Sequence, residues 1–128
     1  MRIRAIGCAG LAAGALFAIP ATGHHSHAMF DDQQTFVREG SVAEFQWTNP
    51  HSWLRVEIEN ESGEIVQWAL ELGSPANLAR RGWRPRMLAP GDPVTVTFHP
   101  LKDGNPGGAL LSITLPDGTQ MGDDEYIN

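Results

Sequence analysis

Three histidines occur within four positions near the start of the chain, in the stretch ATGHHSHAMFD at residues 21–31. The whole sequence contains five histidines. Imidazole nitrogens are common ligands of transition metals, so a cluster of this density suggests metal binding. The chemistry depends on whether His24 is internal or becomes the first residue of a processed chain.

The residues ahead of this cluster have the three parts of a secretory leader. Two arginines lie in the first four positions, residues 6–19 are mostly apolar, and Ala21-Thr22-Gly23 supplies the small residues of a cleavage site. We therefore predict a signal peptide over residues 1–23 and a periplasmic or secreted protein. A retained membrane anchor is the alternative, although the apolar run is short for a membrane span.

Cleavage after Gly23 would give His24 a free α-amine and an imidazole that can chelate one metal ion together. A second histidine would complete a T-shaped set of three nitrogens, the histidine brace, which suits Cu(II). Cleavage one residue later would begin the chain at His25 and place His27 third from a free amine, another square-planar site for copper or nickel. Both cleavage points predict copper binding, whereas a disordered tail that binds metal weakly is the alternative.

Two later histidines are candidates for the second ligand. His51 lies in the loop between the first two predicted strands, and His99 ends the fourth. Each also has a simpler interpretation, because His51 could hydrogen-bond within its own loop and His99 could be an exposed strand end. Four acidic residues could support the ligands from outside, although isolated carboxylates on an acidic surface are mostly solvated: Asp31, Asp32, Glu71 and Asp103.

The loop around His51 reads WTNPHSW, and it is a candidate ligand loop in its own right. Asn49 precedes a proline, which favours a turn that presents His51 between Trp47 and Trp53. Core packing or covering of a barrel mouth is the commoner role of such tryptophans.

The charge of the chain excludes some partners. Removing the two arginines of the leader reduces the nine basic residues to seven against 15 acidic ones, so the net charge changes from −6 to −8. Nucleic acids and anionic membranes require basic patches, so we expect neither as a partner. The one cysteine, Cys8, lies in the leader, so core packing must stabilise the processed chain, which we expect to be a monomer.

Alternation of apolar and polar residues predicts five strands, over residues 37–47, 53–59, 65–72, 94–99 and 109–115. Gly40 suggests a bulge or bend in the first strand, whose Ala43, Phe45 and Trp47 share one face. In the fifth strand, Ala109, Leu111, Ile113 and Leu115 share a face.

One short helix is predicted between the third and fourth strands. Ser74 is a good N-cap, Pro75 suits the first turn, and Gly82 suits a left-handed stop. This element order predicts an all-β fold, a small five-stranded OB-like Greek-key barrel, with a sandwich as the alternative. We divide the chain into a signal peptide (1–23), a histidine-rich N-terminal arm (24–36), the barrel (37–118) and a tail (119–128).

Four phrases resemble a known family: HHSHAMFD, FQWTNPHSWL, WALELGSPANLARRGW and PGDPVTVTFHPLKDG. They are similar to small secreted bacterial proteins described as domain of unknown function 6152, over residues 24–118. His24, His25 and Ser26 match the family's opening, and His51 and His99 also match. His27 stands where a bulky apolar residue is more usual, so we leave it out of the core site.

The family has no assigned activity, so the metal hypothesis rests on the residues alone. We expect a periplasmic copper-binding carrier, buffer or sensor that uses His24 with His51 or His99. The alternative is a metal-free module that binds a ligand or partner protein through the WTNPHSW loop. No enzyme motif is present, and a copper-dependent oxidase is the least favoured class because the only tyrosine, Tyr126, lies in the predicted tail.

Overall fold

A computed structural model describes residues 27–123 of the protein. These described residues begin with a single 3₁₀ turn at His27–Met29 and include one helix, α1 (Pro75–Arg80). The strands are β1 (Phe36–Gln46), β2 (Trp53–Glu59), β3 (Ile65–Glu71), β4 (Pro93–Pro100), β5 (Gly107–Thr114) and β6 (Gln120–Gly122). The predicted order of strands and helix is confirmed. Across residues 27–123, no helix combines the length and apolar composition needed to cross a membrane.

The first five strands form a closed barrel in the order β3-β2-β1-β4-β5. A short parallel pairing of β3 with β5 closes it, from Ala69 opposite Gly107 to Glu71 opposite Ala109. All other neighbouring strands pair antiparallel. This arrangement confirms the predicted OB-like barrel.

Strand β1 curves around the barrel and pairs with two neighbouring strands. Its first half pairs with β4 and its second half pairs with β2. The bulge that accompanies this change lies between Val42 and Glu44, so of the bulge or bend predicted at Gly40 the bulge occurs further along the strand. Gly40 instead marks a close approach: a Cβ atom there would lie 2.4 Å from the Glu57 carbonyl oxygen. The bulge also breaks the predicted face, because Val42 rather than Ala43 joins the core.

The core is filled by the predicted inward faces of β2 and β4. Its buried members include Leu54, Val56, Ile58, Val94, Val96 and Phe98. In β5 the predicted face is only partly right, because a register irregularity in the β4–β5 pairing turns Leu110 and Ile113 toward this core. Ala109 and Leu111 instead pack with Phe30 and Leu101 in a second, smaller cluster.

The helix follows its predicted signals. The Ser74 hydroxyl oxygen accepts a hydrogen bond from the Asn77 amide at 3.3 Å, and Pro75 occupies the first turn. Gly82 has a φ of +92°, the left-handed conformation expected of a glycine just past a helix end.

The C-terminal part of the described chain is folded onto the barrel. β6 lies within the segment that the sequence analysis assigned to a tail, and it pairs with β5 over three residues. The Trp83 indole Nε1–H donates to the Gly122 carbonyl oxygen at 3.0 Å. A three-residue strand is too short to show the alternation that predicts one, so the sequence analysis missed it.

Candidate functional site

The loop that carries His51 is hydrogen-bonded to the residues that follow β3. The Thr48 hydroxyl donates to the His51 carbonyl oxygen at 2.8 Å. The Ser52 amide donates to the Gly73 carbonyl oxygen at 3.0 Å, and the Leu72 amide donates to the Ser52 carbonyl oxygen at 2.9 Å. Ser52 itself is fully buried. These bonds fix the backbone of His51 against residues 72–73.

The His51 imidazole is held through its Nδ1 atom. Nδ1 lies 3.0 Å from the Leu72 carbonyl oxygen and 3.2 Å from Glu71 Oε1. A carbonyl oxygen can only accept, so Nδ1 carries the hydrogen and donates it. In the neutral ring the lone pair is then on Nε2, the nitrogen that would bind a metal ion. A carbonyl or carboxylate that accepts from the other ring nitrogen is the usual support of a metal-binding histidine.

Glu71 is buried although it points away from the barrel core. Its neighbours Leu70 and Leu72 fill the core, so alternation along β3 turns the Glu71 side chain outward. The side chain is nevertheless only 2% exposed, against 13% for His51. The expectation that the isolated carboxylates would be solvated is therefore wrong for Glu71.

The N-terminal arm lies across this outer face. Phe30 forms a bridge with Leu101, the Asp31 amide donates to the Pro100 carbonyl oxygen at 2.8 Å, and the Lys102 amide donates to the Met29 carbonyl oxygen at 3.0 Å. Phe30 is buried against Ala109. The described part of the arm, residues 27–35, is thus docked on the barrel, with His27 as its first described residue.

His99 anchors the other end of the arm. Its Nδ1 lies 2.7 Å from the Gln34 carbonyl oxygen and must donate to it. His99 pairs with Ala109, which in turn pairs with Glu71, so two strand spacings, about 10 Å, separate the backbones of His99 and Glu71. His99 therefore lies on the same outer face as Glu71 but apart from the His51–Glu71 pair.

A cavity of about 190 Å³ opens beside Glu71. Met29 and Phe30 of the arm line one side, and Trp53 and Leu101 line others. Among the lining residues that the structure describes, Glu71 is the one ionisable side chain. The arm and the buried carboxylate therefore meet in an apolar recess at the end of β3.

The remaining predicted site residues are dispersed. Trp47 packs edge-on against Phe45 with ring centroids 6.0 Å apart, whereas Trp53 lines the cavity and Asn49 is exposed. The loop therefore offers one tryptophan to the cavity, not a pair. The other acidic candidates accept hydrogen bonds from residues one to three positions later: Asp31, Asp32 and Asp103.

The described residues alone do not assemble a metal site. Within residues 27–123, no three side chains of the metal-ligating types are grouped closely enough to hold an ion. His24 and His25 lie outside the described residues. The structure thus brings together His51 and Glu71, and it keeps His99 separate as a contact of the arm.

One contributor near His51, Asp123, was not predicted from the sequence. The Asp123 carboxylate is buried, and its Oδ2 accepts from the Gly73 amide at 2.7 Å. Asp123 lies in the predicted tail, 50 positions after Gly73, and no local pattern signals such a contact.

Comparison with known proteins agrees with the resemblance of the sequence phrases. Residues 13–110 match the Family of unknown function (DUF6152). The chain belongs to this family. The match to DUF6152 includes the arm, β1 to β4, His51, Glu71 and His99. No curated protein and no solved structure matches the chain. The family description assigns no function, so a functional argument must rest on the site.

Proposed function

We propose that this protein is an exported copper-binding protein that acts as a carrier, buffer or sensor rather than as an enzyme. The copper ion would be held by the α-amine and imidazole of His24, with His51 as the second histidine and His25 beside the first. One observation carries the proposal: the His51 ring donates from Nδ1 to Leu72 and Glu71, which directs its lone pair to Nε2.

The course of the arm favours His51 over His99 as the second ligand. The chain runs from Gln34, at His99, to Met29 and Phe30, which share a cavity with Glu71. Position 24 is three residues ahead of His27, the first described residue, and three residues span at most about 10 Å. A ligand at position 24 would therefore extend from the Glu71 end of the arm. His99 already anchors the arm through its own Nδ1.

The donor set favours copper over other ions. An amine and two imidazoles form a nitrogen set that suits the tetragonal geometry of Cu(II), which also heads the affinity series of the divalent first-row metals. A free α-amine titrates near 7.7, so metal binding near neutral pH requires little deprotonation. Affinity should fall as the pH is lowered, because protons compete for the amine and imidazoles.

The test is a Cu(II) titration of tag-free processed protein whose mass shows that it begins at His24. We expect stoichiometric, submicromolar binding. His24→Ala should weaken binding by about 100-fold or more, because it breaks the pair formed by the α-amine and the imidazole of one residue. Equal, weak binding by the two proteins would contradict the proposal.

Two further variants separate the candidate second ligands. His51→Ala should lose as much affinity as His24→Ala, whereas His99→Ala should lose less than about tenfold because it removes only an anchor of the arm. The opposite ranking would assign the ligand role to His99. Circular dichroism of each variant checks that the barrel is intact.

A metal-free binding module remains the second candidate, and the cavity beside Glu71 favours it. Over the described part of its lining, the cavity combines apolar walls with the buried carboxylate of Glu71, which suits a small ligand or an apolar side chain of a partner protein. Under this alternative, Trp53→Ala would abolish ligand binding, and copper would bind no better to the wild-type protein than to His24→Ala.

A further inference from the structure

The carboxylate of Asp123 is enclosed at the end of the described chain. Asp123 is 1% exposed, its Oδ2 accepts from the Gly73 amide at 2.7 Å, and its Oδ1 lies 3.7 Å from Arg81 Nη1. Its own amide donates to the Leu111 carbonyl oxygen at 2.9 Å. This residue therefore joins β5, the end of α1 and the segment after β3 at one point.

Asp123 and His51 bind the same peptide group, the one that joins Leu72 to Gly73. Gly73 follows Leu72, whose carbonyl oxygen accepts from His51 Nδ1. The Gly73 carbonyl oxygen accepts from Ser52, directly after His51 in the chain. A shift of the Gly73 backbone would therefore move two acceptors together: the Leu72 carbonyl, which binds the His51 ring, and the Gly73 carbonyl, which binds the Ser52 amide.

The other contacts of this junction are two backbone hydrogen bonds with Ser52 and the packing of Leu72 in the core. β6 pairs with β5 over only three residues, and the Trp83 indole supplies one further bond to Gly122. Gly73 carries no side chain that could pack. A charge-assisted hydrogen bond from its buried amide is a strong restraint on its position.

We propose that Asp123 is a positioning residue of the His51 site. Its carboxylate fixes the Leu72–Gly73 backbone so that the Leu72 carbonyl and the Glu71 carboxylate both meet His51 Nδ1. This inference rests on the proposed function for its consequence in copper binding, but the orientation of the His51 ring can be measured without metal.

The test compares Asp123→Ala and Asp123→Asn with the wild-type protein. Two-dimensional ¹H–¹⁵N NMR of the histidine rings in the metal-free protein reports which nitrogen of His51 carries hydrogen. We expect Nδ1–H in the wild-type protein, a mixture of tautomers in Asp123→Ala, and an intermediate result in Asp123→Asn, which retains an acceptor oxygen. Cu(II) affinity should fall by about tenfold in Asp123→Ala, as for other supporting residues.

Ile113→Val is the matched control, because it removes one methyl group from the core on the neighbouring strand β5. It should lower the free energy of unfolding by about 0.5–1.5 kcal/mol and leave the His51 ring unchanged. Unchanged ring signals in both Asp123 variants would overturn the inference, as would an equal disturbance by Ile113→Val. If Asp123→Ala does not fold, the ring signals of His51 in Asp123→Asn decide whether the inference holds.

The two proposals fail in distinguishable ways. If wild-type protein does not bind copper, the proposed function is wrong, while the ring signals still decide whether Asp123 positions His51. If copper binds and the ring does not respond to either Asp123 variant, only the positioning role is wrong.

Discussion

At the scale of single residues, the contacts of His51 Nδ1 decide which nitrogen of the ring is left to bind a metal ion. His51 is held by a carbonyl oxygen and a carboxylate oxygen at 3.0 and 3.2 Å, both on consecutive residues of one strand end. The carbonyl requires a hydrogen on Nδ1, and the buried carboxylate makes the ring a stronger electron donor at Nε2. In the proposed copper site, Glu71 would therefore support a ligand and not be one.

Glu71→Gln tests this role. The glutamine retains the size and one acceptor oxygen but loses the negative charge, so we expect Cu(II) affinity to fall by about tenfold. Glu57→Gln on the exposed side of β2 is the matched control and should bind copper as the wild-type protein does. Equal affinity of the two variants in competition titrations would show that the charge of Glu71 does not contribute.

At the scale of elements, β1 decides the shape of the barrel and the docked arm decides the surroundings of the site. β1 passes from β4 to β2 at Gly40, where the two backbones are too close for a side chain. The arm is fixed by backbone bonds to Pro100 and Lys102 and by His99. Without the arm, Ala109 and Glu71 would lose the residues that line their outer side.

Gly40→Ala should be strongly destabilising. Its Cβ atom would meet the Glu57 carbonyl oxygen at 2.4 Å and a Val56 methyl at 2.8 Å, so backbone must shift. We expect a loss of about 1–3 kcal/mol in the free energy of unfolding, measured with urea.

Gly91→Ala is the control for Gly40→Ala. Gly91 has a φ of +90° but nothing within 4 Å of the added atom, so the cost should be limited to backbone strain of about 1 kcal/mol. A cost at Gly40 no larger than at Gly91 would mean that β1 can move away from β2.

At the scale of the whole molecule, stability rests on one apolar core and a few long-range ties. The sequence contains a single cysteine, Cys8, so no disulfide within the chain can assist the packing. Trp83 is fully buried, packs near Phe45 with ring centroids 6.0 Å apart, and bonds to Gly122. It ties the segment after α1 to β6 and to the core.

Two substitutions separate the contributions of Trp83. Trp83→Phe keeps an aromatic ring but loses the indole N–H, so the Gly122 carbonyl loses its donor, at a cost of about 1 kcal/mol. Trp83→Ala also removes most of the buried surface and should cost about 3–5 kcal/mol. Thermal and urea unfolding measure both, and equal costs would show that the ring itself contributes little to packing.

Local sequence patterns predicted the order of the first five strands, the helix with its caps, the barrel and the candidate histidines. These features depend on alternation and on caps within a few residues, so a short window of sequence contains their cause. The phrases around His51 and His99 that indicate the family are likewise contained in short stretches of sequence.

The tertiary structure alone decided how Glu71, His99 and Asp123 are used. Glu71 is near residues of the arm some 40 positions earlier, His99 bonds to Gln34 65 positions earlier, and Asp123 bonds to Gly73 50 positions earlier. The inward turn of Leu110 likewise follows from an irregular register with β4. Such contacts form because the closed barrel brings together segments that are far apart in the sequence. A pattern of residue types within a short window cannot show which distant segments will meet.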